Sequence, residues 1–415
     1  MGSNQELTSV VLITQNAKLI KEIQRALDQE SGFNLLKSIQ KPDQLEELIQ
    51  VAHPGIILLD FQLDKTESIL RVIDEIASRF LSAAVVTILP ETQVQLSDQV
   101  ILAGSRAILL YPFSEENLVT TLKRVRELLF RNLGISHGRQ AMPVRAKKNR
   151  CLVVYSPKGG VGCTSVAINL AIALHQQVKE KVLLVDGRHA LGHVALMLNL
   201  RTGNSITDLI SNVGKLDEAL INQVVVDHSS GISILASPMG FDKGHEFRPE
   251  DLFKVIQVLK TIYPNLIVDG GSHLDDNLVT YMDMADGIIL VVNPNLASLR
   301  DGRQFLNFSQ TLSYSEEKVM IVLNQAGHKA DVKLSDIEKA LHSTILGTIP
   351  VDEDMMLSCL NEGVPIILKK PNHPISKAIK TLSTAVTHSI SSLSSQSTDQ
   401  INPSSDVLRK SSYLG

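Results

Sequence analysis

The sequence predicts two α/β domains, each built on a parallel sheet covered by helices. In the first third, short apolar runs such as SVVLIT, GIILLD and RAILLY alternate with stretches of helical periodicity. A second series of strand candidates begins at CLVVYS, and its members are almost continuously apolar. Alternation of this kind is typical of parallel sheets, and continuous apolar strands indicate burial on both faces. We therefore expect a flavodoxin-like (βα)5 domain followed by a larger, doubly wound, mostly parallel domain.

Composition changes divide the chain into four segments: a first domain at 1–131, a linker at 132–150, a second domain at 151–390 and a tail at 391–415. The total of 415 residues suits two or three domains. The linker is basic, which leaves a solvated connection or an acidic or nucleic-acid partner open; the lack of interleaved aromatic residues favours the connection. The serine-rich tail is expected to be disordered because it has little to bury.

The overall charge argues against a general affinity for nucleic acid. The formal net charge is −4, whereas stable nucleic-acid binding usually leaves a basic footprint. Three widely spaced cysteines form no disulfide framework, which fits a reducing compartment. We expect a cytoplasmic protein without a signal peptide or transmembrane segment, since no run of 18 apolar residues occurs.

Residues 156–165 read SPKGGVGCTS and have the character of a phosphate-binding loop. They follow a predicted strand and precede a predicted helix, the context in which backbone N–H groups surround a phosphate. Glycines let the chain curl closely around the anion, and a hydroxyl side chain after the loop can bind Mg²⁺. A glycine-rich turn without a ligand is the structural alternative. The predicted nucleotide-binding residues in the loop are Lys158, Gly159, Gly160, Val161, Gly162, Cys163, Thr164 and Ser165.

Two positions depart from the common loop pattern G-x-x-x-x-G-K-[ST]. Pro157 stands at the first glycine and Cys163 at the lysine. A lysine there neutralises charge on the β- and γ-phosphates during transfer, which a cysteine cannot do. The thiol is either a small residue that fits the helix start or a reactive group activated by the helix N-terminus.

A second lysine lies early in the loop, and the order K-G-G-x-G resembles the deviant phosphate loop of the MinD/ParA superfamily. The resemblance implies that ATP and Mg²⁺ bind and that Lys158 reaches the partner's nucleotide across a homodimer. In KVLLVDGR, Asp186 matches the first aspartate of the superfamily's D-x-D, but Arg188 replaces the second, which positions the attacking water in hydrolysing members. Asp269 in NLIVDG matches the Walker-B aspartate, and Asn324 matches the asparagine that contacts adenine. The implied metal site comprises Thr164, Asp186 and Asp269.

Further stretches, among them GHVALMLNL, SITDLI and IPVDEDMMLSCLNEGVPI, resemble the CpaE/TadZ branch of this superfamily over 151–390. Proteins of this branch belong to Tad-type pilus loci and commonly carry an atypical receiver domain in front. The resemblance implies a homodimer with partners among pilus, secretion or polar proteins. It also implies a location in the cytoplasm, at the cell pole or at the inner membrane through those partners.

The segment GIILLDFQL in the first domain resembles the receiver strand that ends in the phosphoacceptor, here Asp60. A working receiver also needs an acidic pair, a hydroxyl and a lysine around that aspartate. This chain has Thr14-Gln15-Asn16, Leu89 and Tyr111 at those places. Without metal carboxylates or a lysine, nothing neutralises a phosphoaspartate. We therefore predict a degenerate receiver used for contacts, in which Asp60 is not phosphorylated.

Three functions are compatible with these residues. The first is an ATP-binding, dimerising positioning protein with weak or no hydrolysis, because the losses at Cys163 and Arg188 affect mainly the transition state. The second is a slow, partner-stimulated ATPase in which Asp275 or Asp276 replaces the missing carboxylate. The third is a scaffold that binds no nucleotide.

Overall fold

The computed structural model describes residues 7–30, 32–45, 54–80, 83–132, 149–188, 191–238, 248–312, 314–327 and 332–399. Most of the expected linker, residues 133–148, and the end of the expected tail, residues 400–415, lie outside these ranges. The described residues form two sheets, one in each predicted domain. No helix among them combines the length and apolar character needed to cross a membrane.

The first domain is a five-stranded parallel sheet with strand order β2-β1-β3-β4-β5, the flavodoxin-like order. Helices α1 and α4 cover one face of this sheet, and α2 and α3 cover the other. The strands are β1 (Thr8–Ile13), β2 (Phe33–Ile39), β3 (Ile56–Asp60), β4 (Ala84–Pro90) and β5 (Ala107–Tyr111); the helices are α1 (Ala17–Asp28), α2 (Thr66–Arg79), α3 (Ser97–Leu102) and α4 (Glu115–Asn132).

The second domain has an eight-stranded sheet with order β13-β12-β11-β6-β10-β7-β9-β8. Seven strands run parallel, and β8 pairs antiparallel with β9 at one edge. The sequence did not indicate β8, a two-residue strand too short to show a pattern. The strands are β6 (Arg150–Tyr155), β7 (Val182–Asp186), β8 (Val226–Asp227), β9 (Ser233–Leu235), β10 (Asn265–Asp269), β11 (Gly287–Val292), β12 (Val319–Ala326) and β13 (Ile345–Pro350).

Helices cover both faces of this sheet, as the continuously apolar strands require. Helices α9 to α12 pack on one face, and α5 and α15 on the other. The helices are α5 (Cys163–Val178), α6 (Val194–Met197), α7 (Ile206–Ser211), α8 (Glu218–Val224), α9 (Pro249–Ile262), α10 (Asp276–Met284), α11 (Leu296–Thr311), α12 (Leu334–Leu341), α13 (Glu353–Glu362), α14 (Ile366–Lys369) and α15 (Pro374–Asp399).

The last helix, α15, packs one apolar stripe against α5 and β13. The stripe is buried along its length, with exposures of 2% at Ile375 and 6% at Ile390. It therefore contributes to the core. The helix continues to Asp399, so the described structure carries residues 391–399 of the expected tail as helix.

A buried ion pair joins the two domains. Arg106, at the start of β5, places Nη2 2.5 Å from Oδ1 of Asp283 on α10, and the two side chains are 5% and 1% exposed. Nη1 of Arg106 donates to the carbonyl oxygen of Leu312 at 2.5 Å. The Tyr314 hydroxyl donates to the same Asp283 oxygen at 2.7 Å. These contacts fix the first domain against α10 and the end of α11.

A second arginine of the first domain reaches the start of α10. Nη1 of Arg124 donates to Thr280 Oγ1 at 2.8 Å, and Nη2 lies 4.0 Å from Oδ2 of Asp276. Burial raises the pKa of Asp276 to about 7, and Arg124 opposes that rise. Because α10 begins only seven residues after Asp269, the first domain holds a helix that leads directly out of the predicted site.

Replacing Arg106 with methionine should destabilise the protein by about 3–5 kcal/mol, because Asp283 is left as a buried charge without its cation. Adding Asp283→Asn removes that charge and should recover part of the loss. Denaturant unfolding of the full chain measures both variants. Lys18→Met is the control, since Lys18 pairs with Glu22 at the surface, and such pairs contribute little. An Arg106→Met variant as stable as the control would contradict the assigned role of the ion pair.

Candidate nucleotide site

The phosphate-binding loop connects strand β6 with helix α5. The strand ends at Tyr155 and the helix begins at Cys163. Gly160 and Gly162 have φ angles of 78° and 91°, in the left-handed region that favours glycine, and Gly162 is the N-cap of α5. The loop therefore directs the helix N-terminus at the space that a phosphate would occupy. Lys158 is half-buried within the loop, and its backbone N–H donates to Ser156 Oγ at 3.3 Å.

The end of strand β12 holds this loop in place. Nδ2 of Asn324 donates to the carbonyl oxygen of Val161 at 2.7 Å. A Cβ on Gly162 would lie 2.5 Å from that same amide nitrogen, so the approach requires glycine. In this structure the Asn324 amide is therefore bound to the loop itself.

Two buried carboxylates lie side by side at the carboxyl ends of adjacent parallel strands. Asp186 on β7 is in register with Asp269 on β10, and they are 1% and 0% exposed. Burial, followed by the charge of Asp269, raises the pKa of Asp186 to about 7. Burial also raises the pKa of Asp269. The site thus carries negative charge that only a nearby cation or a proton can neutralise.

The two carboxylates make different contacts. Asp186 accepts backbone N–H bonds through both oxygens, from Arg188 at 3.4 Å and Val194 at 3.0 Å. It therefore anchors the segment that follows β7. Asp269 accepts the N–H of Gly271 through Oδ1 at 3.2 Å, whereas its buried Oδ2 has no hydrogen-bond partner among the described residues.

The unpartnered Oδ2 of Asp269 is an oxygen that could ligate a metal ion. The Thr164 hydroxyl acts to lower the pKa of Asp269, so a hydroxyl and an unpartnered carboxylate oxygen lie close together beside the loop. Magnesium is usually held by one or two carboxylates together with water and phosphate oxygens. Thr164 and Asp269 fit this requirement directly, and Asp186 lies next to them. When bound, the ion would neutralise the carboxylates and the phosphate oxygens.

Cys163 is a neutral, buried thiol. Its Sγ donates to the carbonyl oxygen of Val154 at 3.2 Å, and the residue is 8% exposed. Burial, with a further contribution from the Asp269 carboxylate, raises its pKa well above the ordinary value. These observations favour the interpretation of Cys163 as a small residue that fits the helix start. A reactive cysteine would need a lowered pKa and access to solvent.

An apolar cavity of about 180 Å³ lies on the helix side of the loop. Its size and lining suit the flat, largely apolar face of a nucleobase. The fold brings in residues from the β13–α13 segment that the sequence analysis did not single out as site residues. The sequence IPVDEDMM in this segment indicated a family resemblance, but it did not indicate that these residues line a cavity. Lining residues include Val166, Asn324, Gln325, Ile349, Pro350 and Met356.

Comparison with known proteins agrees with this arrangement. Residues 149–322 match the family model described as an AAA domain. The septum site-determining protein MinD of Thermotoga maritima is 25% identical over 238 residues, which span 56% of this chain and 85% of that protein. The crystal structure of a ParA family ATPase from Chlorobium tepidum is 28% identical, with a TM-score of 0.53 over 58% of this chain and 99% of that chain. The second domain is thus similar in sequence and fold to the P-loop domains of MinD and ParA proteins.

The MinD/ParA fold also appears in MinD of Pyrococcus horikoshii, solved in complex with Mg-ADP. That chain is 24% identical and superposes with a TM-score of 0.51 over 57% of this chain and 95% of its own length. The prediction of a MinD/ParA-like P-loop domain from the loop sequence and the strand pattern is therefore confirmed.

The carboxylates considered as replacements for the second MinD/ParA aspartate are already engaged. Asp275 caps α10 by accepting the N–H of Leu278 at 2.7 Å. Asp276 faces Arg124 of the first domain. Asp276 is thus directed at the domain contact, and we do not retain it as a replacement. Arg188, which stands at the second aspartate position, is half-buried, and its Nη1 lies 3.1 Å from Nδ1 of His193.

In the first domain, Asp60 lies at the end of β3 with both oxygens bonded to protein donors. The Thr14 hydroxyl donates to Oδ2 at 2.5 Å, and the N–H of Gln62 donates to Oδ1 at 3.0 Å. Leu89 is fully buried at the end of β4, and Tyr111 is half-buried at the end of β5. The hydroxyl that hydrogen-bonds with Asp60 thus occupies a place where a receiver needs a metal ligand.

The buried carboxylate pair predicts how stability depends on pH without nucleotide or metal. Asp186 keeps its proton to about pH 7 in the folded state but loses it near pH 4 when unfolded, so its contribution is present at low pH and is lost as pH rises between these values. Asp186→Asn cannot ionise. The melting temperature of this variant, relative to wild type, should therefore be higher at pH 8 than at pH 5 in EDTA.

The matched control is Asp217→Asn at the exposed N-cap of α8, where asparagine caps equally well. Its melting temperature relative to wild type should not vary with pH in this way. A constant difference for Asp186→Asn across the same range would show that the Asp186 pKa is not raised.

Proposed function

We propose that this protein is an ATP- and Mg²⁺-binding positioning factor that dimerises when nucleotide is bound and hydrolyses ATP weakly or not at all. The observation that carries the proposal is the division of the site into two sets of groups. The loop glycines, Thr164 and the free oxygen of Asp269 provide for phosphate and metal. The positions that would stabilise transferring charge hold Cys163, a neutral thiol, and Arg188, a cation where a carboxylate would orient water.

This division separates binding from turnover. Groups that contact the nucleotide in its ground state set its affinity, whereas a late lysine and a water-orienting carboxylate act on the transition state. Loss of one such group typically costs about 100- to 1000-fold in rate. A site with both losses holds ATP and turns it over slowly.

Lys158 is the residue we assign to dimerisation. It precedes Gly159 and Gly160 at the outer part of the loop, where both glycines are exposed. From there its ammonium group can extend to a nucleotide bound by a second copy of the chain. The two copies would then meet face to face across their loops.

Within this proposal, the first domain is a degenerate receiver used for contacts. The engaged oxygens of Asp60 support this assignment, because a phosphoacceptor needs an accessible carboxylate and a metal. The CpaE/TadZ resemblance suggests partners in a Tad-type pilus machine, and work in the cytoplasm, at the pole or at the inner membrane through those partners.

The central test is size-exclusion chromatography with light scattering, with and without ATP and Mg²⁺. Wild type should change from one chain to two when nucleotide is added, and Lys158→Ala should stay at one chain because the contact across the dimer is lost. Lys215→Ala, a substitution at an exposed lysine outside the loop, should behave as wild type.

The other two functions give different results in parallel assays. If wild type does not bind labelled ATP, the function that remains is the scaffold that binds no nucleotide. Rapid phosphate release, alone or on addition of a partner, would favour the ATPase. Dimerisation that is independent of nucleotide or of Lys158 would contradict our assignment of that residue.

Restoring the late lysine should affect binding more than turnover. In Cys163→Lys the new side chain has to leave the buried position beside Val154 and extend toward the phosphates. ATP affinity should rise about tenfold, within the range of a charge-assisted hydrogen bond, and phosphate release should remain slow while Arg188 is present. Equilibrium dialysis and a phosphate-release assay measure the two effects, with Cys163→Ala as control. Fast hydrolysis by Cys163→Lys would show that Arg188 does not limit the rate.

A further inference from the structure

Arg188 lines a second cavity beside the phosphate loop, which is more polar than the first and shares no lining residue with it. This cavity measures about 290 Å³ and is also lined by Gly187, Gly270, Ser272 and Asp275. It borders the loop, because a Cβ on Gly159 would lie 3.7 Å from Ser272 Oγ. The loop thus borders both the apolar cavity and the polar one.

The arginine side chain is held between two segments. A Cβ on Gly271 would lie 3.1 Å from Nε of Arg188, which places the guanidinium against the segment that follows β10. Nη1 lies 3.1 Å from the imidazole of His193. The charge of Arg188 opposes the rise in pKa of Asp186, Asp269 and Cys163, so it acts on all three groups at the predicted metal end of the site.

A simpler role for Arg188 would be that of a counter-ion to the buried carboxylates. Among the described residues, however, Arg188 forms no ion pair at 4.0 Å or less, although Asp186 is two positions away. A guanidinium has five N–H donors, and the described side-chain contact with the His193 ring nitrogen involves only Nη1. The described contacts therefore leave donors for an anion in the cavity.

The lining of the two cavities indicates which part of a nucleotide would reach Arg188. A base in the apolar cavity and a β-phosphate on the loop leave the terminal phosphate to extend toward the polar cavity. Arginine is well suited to phosphate because its planar fork donates two parallel hydrogen bonds. A triphosphate carries a terminal group that a diphosphate lacks.

We propose that Arg188 binds the terminal phosphate of the nucleotide in its own subunit and makes the site selective for the triphosphate. It supplies in cis the positive charge that Cys163 does not. The inference rests on the nucleotide binding proposed above and adds the group that distinguishes ATP from ADP.

The test compares binding of ADP and of a non-hydrolysable ATP analogue by titration calorimetry, in Mg²⁺ and in EDTA. Arg188→Gln should weaken the analogue about tenfold or more, the effect of a charge-assisted hydrogen bond, and should change ADP affinity less than about threefold. Arg188→Lys keeps the charge and should fall between the two. Arg201→Gln, at an exposed arginine, should leave both affinities unchanged.

Wild type supplies a second readout that needs no variant. Because Arg188 does not depend on metal, the analogue should still bind about tenfold or more tightly than ADP in EDTA. A ratio near one would overturn the proposal even if Arg188→Gln fails to fold.

Other outcomes separate the two proposals. If wild type binds neither nucleotide, the proposed function itself fails. If wild type binds both, and Arg188→Gln weakens them equally or not at all, nucleotide binding stands and the assignment of Arg188 is wrong. A variant that loses thermal stability but keeps the wild-type affinity ratio identifies Arg188 as a counter-ion.

Discussion

The site is organised by two carboxylates that cannot both be charged and buried without a cation. Asp186 and Asp269 are placed side by side by the register of β7 and β10, and neither is reached by solvent. Backbone bonds around them connect the strand ends: the N–H of Gly187 donates to the carbonyl of Asp269, and the N–H of Gly270 donates to the carbonyl of Val154. These hydrogen bonds hold the strand ends together, whereas the charge of the two carboxylates is left uncompensated. Within the proposed function, a bound metal with its nucleotide would supply the positive charge that the fold leaves uncompensated.

Much of this site could be predicted from sequence because its parts are local. The strand–loop–helix context and the glycine spacing predicted the phosphate loop, and apolar runs predicted the strands that end in Asp186 and Asp269. The contacts that could not be predicted join residues far apart in the chain. Nothing local indicates that Asn324 would bind the carbonyl of Val161, or that Arg106 would pair with Asp283, because such pairs depend on how finished sheets and helices pack. The two-residue strand β8 and the continuation of α15 to Asp399 were missed for a related reason, since their sequences show no strong apolar pattern.

The contact between the domains brings the first domain close to the candidate nucleotide site of the second. Helix α10 follows Asp269 after a short segment, and its buried side carries Asp283 and Thr280, which face arginines of the first domain. A cleft of about 930 Å³ between the domains is bordered by Asp98 on one side and by Pro157 and His273 on the other. Movement of the first domain would therefore reach both the phosphate loop and the segment after β10. Through this contact the first domain can influence the candidate nucleotide site, because buried ion pairs tolerate little displacement.

The replacements at positions 163 and 188 are best understood together. A cysteine in place of the late lysine removes one positive charge, and an arginine in place of an aspartate removes one negative charge and adds one positive charge. Relative to the superfamily pattern, the net charge of these two positions rises by one unit. The positive charge lies at the end of β7 instead of at the helix start. A guanidinium there favours a bound triphosphate but cannot accept a hydrogen bond from an attacking water. Under the proposed assignment, the substitution that supports binding also withholds the orienting group that hydrolysis needs, so this distribution of charge supports the proposed slow turnover.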